Sequence, residues 1–119
     1  MNICIIGTGY VGLVSGVCFA DLGHNVKCVD LDKKKISDLN NGIIPIFEPG
    51  LEALLKKNDK KDRINFTTDM DDGLRNADAI FIAVGTPSRR GDGHADIRYV
   101  IDVAKTLSKK IDKYVVIVI

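Results

Sequence analysis

Short apolar runs alternate with longer segments of helical period along this 119-residue chain. Residues 2–7 and 78–84 are apolar without alternation, the pattern of parallel strands buried on both faces. Residues 26–30, 64–67 and 114–119 read as three further strands. Between them lie five expected helices. The first, Tyr10 to Leu22, carries Val11, Val14, Val17, Cys18 and Leu22 on one face, with Gly16 and Ala20 permitting close packing on their sides. Gly23 stands where a helix-ending glycine belongs. Asp32 caps a second helix, Lys33 to Asn41, which Gly42 stops. Pro49 suits the first turn of a third, running to about Asn58. Thr68 with Asp71 resembles a capping box for a short fourth helix ending near Asn76. Asp96 caps the fifth, whose face is Ile97, Val100, Ile101, Ala104, Leu107 and Ile111. Strands separated by helices throughout predict an α/β fold, a Rossmann-like doubly wound parallel sheet.

Two connections break the rhythm. Ile43 to Gly50 is apolar yet holds two prolines, so it is no central strand; it either packs over the sheet edge or helps line a site. Ser88 to His94 is polar and glycine-containing, and reads as a mobile loop. His24 and His94 fall in a turn and in this loop, where a surface role outweighs a catalytic one.

Composition narrows the function classes. Seventeen basic and sixteen acidic residues leave a net charge of +1, which gives no reason to invoke nucleic acid or an anionic membrane. No apolar run approaches the roughly 18 residues of a membrane span. The N-terminus has no basic region before its apolar run. The expected location is cytoplasmic. Cys4, Cys18 and Cys28 are odd in number, lack metal-ligand spacing and fall inside apolar elements, so they read as small buried hydrophobes in a reducing compartment. No metal site and no catalytic residue is expected.

The candidate chemistry lies where the first strand ends. Gly7-x-Gly9-x-x-Gly12 follows an apolar strand and opens a helix, the order required of a pyrophosphate-binding turn. Gly7 serves the tight turn, Gly9 the approach of phosphate to backbone, and Gly12 the packing of helix on strand. Asp30 closes the next strand at the expected distance. A carboxylate there accepts hydrogen bonds from both hydroxyls of an adenosine ribose and repels a 2′-phosphate, which favours NAD over NADP. Lys35, in the next helical turn, is placed to reach back toward the ribose. In a doubly wound sheet the turn Val84-Gly85-Thr86-Pro87 faces the first turn across the topological switch point, with Thr86 toward the cofactor. The candidate NAD site is therefore Gly7, Gly9, Tyr10, Val11, Gly12, Asp30, Lys35, Val84, Gly85, Thr86 and Pro87.

Several motifs in order resemble the NAD-binding domain of the UDP-glucose/GDP-mannose dehydrogenase family over essentially the whole chain. They are Ile6-Gly-Thr-Gly-Tyr-Val-Gly-Leu13, Val29-Asp-Leu-Asp32 with Lys35-Ile36, Pro45-Ile-Phe-Glu-Pro-Gly-Leu51, Phe66-Thr-Thr-Asp69, Phe81-Ile-Ala-Val-Gly-Thr-Pro87 and Gly93-His-Ala-Asp-Ile-Arg-Tyr-Val100. The resemblance implies oxidation of a nucleotide-sugar C6 alcohol to a carboxylate with two NAD⁺. It implies that the glycine turn with Val11 holds the pyrophosphate, that Asp30 and Lys35 meet the ribose, and that Thr86 contacts the dinucleotide. It also implies that the catalytic cysteine, lysine, asparagine and glutamates lie beyond residue 119. None of the three cysteines here matches the nucleophile. A bare apolar strand at the C-terminus gives the same expectation: a domain of residues 1–119, truncated after about the fifth strand and the N-terminal fragment of a longer chain. Alone it would bind NAD without turnover. The missing part would take the nucleotide sugar, and the whole protein would form a homo-oligomer. The Pro-Ile-Phe-Glu-Pro-Gly-Leu motif leans toward UDP-glucose. Dehydrogenases of GDP-mannose or of UDP-N-acetylhexosamines stay open, as does a non-catalytic dinucleotide-sensing domain.

Overall fold

A computed structural model describes residues 1–119. Five parallel strands form one sheet: β1 (Asn2–Ile6), β2 (Asn25–Val29), β3 (Ile64–Thr67), β4 (Ala79–Ile82) and β5 (Val116–Val118), in the order β3-β2-β1-β4-β5. The helices are α1 (Tyr10–Asp21), α2 (Lys33–Asn40), α3 (Leu51–Asp59), α4 (Met70–Leu74) and α5 (Arg98–Lys110). The order reverses at β1, whose neighbours are β2 on one side and β4 on the other, so the switch point falls at the C-terminal end of β1.

Side chains of the central strands alternate between two cores. Ile3 and Ile5 join Val26, Cys28, Ile64 and Phe66 beneath α1, α2 and α3. Cys4 and Ile6 join Val29, Ile80 and Ile82 on the opposite face, against Leu107 of α5 and partly buried Met70 and Leu74 of α4. The unbroken apolar run Ile3 to Ile6 in the central strand is the sequence trace of this two-sided burial.

Helix faces were the least legible feature. The buried face of α1 is Gly12, Leu13, Gly16, Val17 and Ala20, while Val11, Cys18 and Leu22 face solvent. This helix is apolar or small all round, so periodicity does not single out a face. Closeness of packing decides it: a Cβ on Gly16 would stand 2.9 Å from Cys28 Sγ. Cys18 is consequently exposed, unlike the buried Cys4 and Cys28. On α5, Leu107 is buried and Val100 and Val103 are half-buried, while Ile97, Ile101 and Ala104 are exposed.

Element ends show the competing local chemistry. Asp32 caps α2 as expected, its Oδ1 accepting from the Lys35 amide at 3.0 Å. The cap of α4 is Asp69, not Thr68, with Oδ1 accepting from Asp71 N at 2.9 Å. That helix ends at Leu74, short of Asn76. Pro49 lies outside α3, because Gly50 at φ +83° breaks the helical path before Leu51. Asp96 stands one residue before the cap position of α5, yet its Oδ1 still accepts from the Arg98 amide at 3.1 Å. Ser88 to His94, expected as a mobile loop, is organised as a hairpin by the Ser88–Ala95 bridge and the 2.7 Å bond from Arg89 N to His94 O.

Candidate dinucleotide-binding site

The site begins with a conflict of volume at the end of β1. Gly7 adopts φ +102°, and a Cβ there would lie 2.6 Å from Ala83 O. A Cβ on Gly12 would lie 1.9 Å from Gly7 O. Both positions therefore exclude a side chain, and their closeness holds the first turn against the backbone that leads out of β4. Gly9 differs: a Cβ there would meet nothing of the protein within 4 Å. Nothing in the fold demands glycine at this position, so its missing side chain leaves room for something else.

What lies above Gly9 is an open helix end. No side chain caps α1. The first amide of the helix to find a backbone partner is that of Leu13, bonded to Gly9 O at 2.9 Å, which leaves the N–H groups of Tyr10, Val11 and Gly12 unpaired. Three unpaired donors at the positive end of a helix dipole favour an anion, and Gly9 leaves space beside them.

Asp30 follows the last residue of β2, beside this turn. Its Oδ2 accepts from the Thr8 hydroxyl at 2.6 Å and from the Thr8 amide at 2.9 Å, and Oδ1 accepts from the Asp32 amide at 3.0 Å. Lys35 Nζ is 3.6 Å from Oδ2. Partial burial pushes the Asp30 carboxyl up, but the Thr8 hydroxyl, the two amides and Lys35 together outweigh it and hold it below the usual carboxylate range. An ionised carboxylate beside a lysine suits a ribose diol and disfavours a second phosphate.

On the other side of the switch point, Val84 is half-buried and Gly85, Thr86 and Pro87 are exposed. The Pro87 carbonyl accepts from Asp96 N at 2.7 Å, which fixes the far end of this turn. The structure thus brings Gly7, Gly9, Tyr10, Val11, Gly12, Asp30 and Lys35 together around one end of β1 and β2, with residues 84–87 leaving the adjacent strand. The Thr86 side chain makes no hydrogen bond within the domain, so the local backbone bond open to a turn hydroxyl is not formed.

Two participants escaped the sequence reading. Thr8 is fully buried and turned inward to Asp30. Glu48 accepts a hydrogen bond from the Tyr10 hydroxyl and ties the proline-rich loop to the glycine turn. Ile44 and Ile46 of that loop pack against the core on the α1 side of the sheet, while Phe47 is 90% exposed, and the Tyr10 tie puts the loop beside the glycine turn. The signal for Thr8 was a hydroxyl residue between two glycines; Glu48 had none in isolation. The N-terminal ammonium donates to His24 Nδ1 at 3.3 Å, and no cluster of metal-ligating side chains exists. A notch of about 160 Å³ lined by Asn2, Asn25, Lys27, Asn65, Arg75 and Asn76 lies at the opposite, N-terminal ends of the strands.

The family model for the UDP-glucose/GDP-mannose dehydrogenase family, NAD binding domain, matches residues 1–119. The chain belongs to this family. Its NAD-binding domain is the part represented here, and NAD is its cofactor. The chain is 56% identical over 118 residues to the UDP-glucose 6-dehydrogenase of Rhizobium meliloti strain 1021, covering 99% of this chain and 27% of that protein. It is 52% identical over 118 residues to a UDP-glucose 6-dehydrogenase of Bacillus subtilis strain 168, with the same coverage. Among solved structures, a ternary complex of GDP-mannose dehydrogenase from Pseudomonas aeruginosa superposes with a TM-score of 0.83 at 43% identity, over 88% of this chain and 24% of that one. The chain thus spans about a quarter of the length of these dehydrogenases. No helix is long and apolar enough to cross a membrane.

Proposed function

We propose that this domain positions NAD in a cytoplasmic UDP-glucose 6-dehydrogenase, which oxidises UDP-glucose to UDP-glucuronate with two NAD⁺ per turnover. The observation that carries the reading is the uncapped α1 N-terminus over the vacant space at Gly9, with an ionised Asp30 beside it. In this reading the amides of Tyr10, Val11 and Gly12 hold the pyrophosphate. Asp30 accepts from the adenosine ribose, and Lys35 donates toward the same sugar. Residues Val84 to Pro87 form the opposite wall, with the free Thr86 hydroxyl toward the dinucleotide. NAD, when bound, supplies the hydride acceptor. The domain contributes position and charge, and holds no residue for the proton or acyl chemistry. The nucleotide sugar is bound, and the chemistry done, by segments outside residues 1–119. The isolated domain is therefore inactive, and the full-length protein is a homo-oligomer.

Two curated relatives at more than half identity carry the name UDP-glucose 6-dehydrogenase, which supports UDP-glucose over GDP-mannose. An NADH-formation assay on the full-length protein, with UDP-glucose, GDP-mannose and UDP-N-acetylmannosamine offered separately, tests the choice. The expected result is two NADH per UDP-glucose and little from the others. Turnover of another sugar alone would refute the substrate. Tight NADH binding with no turnover of any sugar would favour a dinucleotide-sensing domain.

A further inference from the structure

We propose that Thr8 is a positioning residue for ribose recognition, acting through Asp30 rather than touching the dinucleotide; the inference rests on the reading of Asp30 as the ribose acceptor. A carboxylate offers about four acceptor positions. In Asp30, Thr8 fills two of them, both on Oδ2, through its hydroxyl at 2.6 Å and its amide at 2.9 Å. The Asp32 amide fills a third, on Oδ1, at 3.0 Å. One position on Oδ1 remains. The carboxylate is thus fixed before any ligand arrives, with Oδ2 turned inward and one acceptor site of Oδ1 free for a hydroxyl. This departs from a clasp in which both carboxylate oxygens take one ribose hydroxyl each. Asp30 takes one, and Lys35, 3.6 Å from Oδ2, is the charged neighbour left to donate to the other.

The residue type follows from this role. Any residue at position 8 supplies the amide, but only a hydroxyl side chain supplies the second bond. Thr8 is 0% exposed, so its side chain presents no surface to the cleft. The identity of residue 8 therefore reaches the cofactor only through the carboxylate it holds. Replacing the hydroxyl by a methyl group leaves the shape and removes the bond, so Asp30 keeps two of its three anchors, is held less firmly and loses a donor that favours its ionised form.

The test is a binding cycle on the full-length protein, with NADH titrated by fluorescence against wild type, Thr8→Val, Thr8→Ser, Asp30→Ala and the Thr8→Val/Asp30→Ala double variant. The expected result is an affinity about tenfold weaker for Thr8→Val, the scale of one charge-assisted hydrogen bond. Thr8→Ser, which keeps the hydroxyl, stays within about twofold of wild type. Once Asp30 is alanine, Thr8→Val costs nothing more. Thr8→Ala, run through the same cycle, gives the same pattern and serves should the valine variant not fold. Wild-type affinity in both Thr8→Val and Thr8→Ala would overturn the proposal. So would an equal loss with and without Asp30, because Thr8 would then act on the turn alone. Wild-type affinity in Asp30→Ala would sink the ribose reading itself, a result distinct from either.

Discussion

Gly9 and Gly12 carry the same letter for opposite reasons. Gly12 is required by the fold, since a Cβ there would lie 1.9 Å from Gly7 O. Gly9 is required by nothing in the fold. Gly12→Ala is therefore expected to lower unfolding stability by about 3 kcal/mol or more, as overpacking against backbone does. Gly9→Ala should change stability by less than about 0.5 kcal/mol while weakening NADH by at least tenfold, roughly the loss of one good phosphate contact. Urea unfolding and NADH titration on the two variants separate the roles; a Gly9→Ala protein that binds NADH normally would place the pyrophosphate elsewhere. At Asp30, removal of the carboxylate should weaken NADH by about 1–3 kcal/mol. Its pKa is lowered in the fold, so the charged form is complete above the ordinary value of 3.8 and is lost only as pH falls through the lower, folded value. Affinity measured from pH 7 downward should stay flat to about 4 before this group contributes a loss. A decline centred at pH 5 to 6 would assign the sensitivity to another group. The glycine spacing and Asp30 were legible in sequence because each has a narrow chemical reason. Thr8 was not, because its partner lies 22 residues away and the contact exists only once β1 and β2 pair.

Strands were easier to read than helix faces, and the reason lies in the elements themselves. A strand such as β1, buried on both sides, leaves a continuous apolar run whatever packs against it. Helix α1 is small or apolar all round, so which residues it buries depends on how closely its glycines approach the sheet. On α5 the expected face includes Ile97 and Ile101, which the fold leaves exposed. The cap of α4 fell on Asp69, one residue after the expected Thr68, because the Asp69 carboxylate reaches the Asp71 amide. The proline-rich loop was half legible: its rigidity shows in sequence, its attachment to Tyr10 through Glu48 does not. That tie has a measurable consequence. Glu48→Ala should lower stability by about 1 kcal/mol, the net worth of one hydrogen bond. It should also raise the rate of proteolytic cleavage between residues 43 and 50, because the loop then loses its tie to the glycine turn. Glu48→Gln, which keeps an acceptor, should restore most of both. Cleavage no faster in Glu48→Ala than in wild type would show that the Tyr10 tie does not hold the loop.

Across the molecule, the chemistry gathers at one end of the sheet. The strand order reverses at β1, and every candidate contact follows the C-terminal end of β1, β2 or β4. The notch of about 160 Å³ lies at the other end and is lined by asparagine amides, Lys27 and Arg75. Position in the topology marks the site. The far edge of the sheet is the least covered part: Val116, Ile117 and Val118 of β5 remain 38–46% exposed on both faces. Doubly wound topology was legible from the alternation of elements, and the switch point followed from it. What the alternation does not reveal is the reach of each side chain across the switch point. The most direct check is a crystal structure of the full-length protein with NADH. The pyrophosphate should lie within hydrogen-bond distance of the Tyr10, Val11 and Gly12 amides, with one ribose hydroxyl on Asp30 Oδ1. A dinucleotide seated anywhere else, or one whose phosphates avoid the α1 N-terminus, would contradict the account.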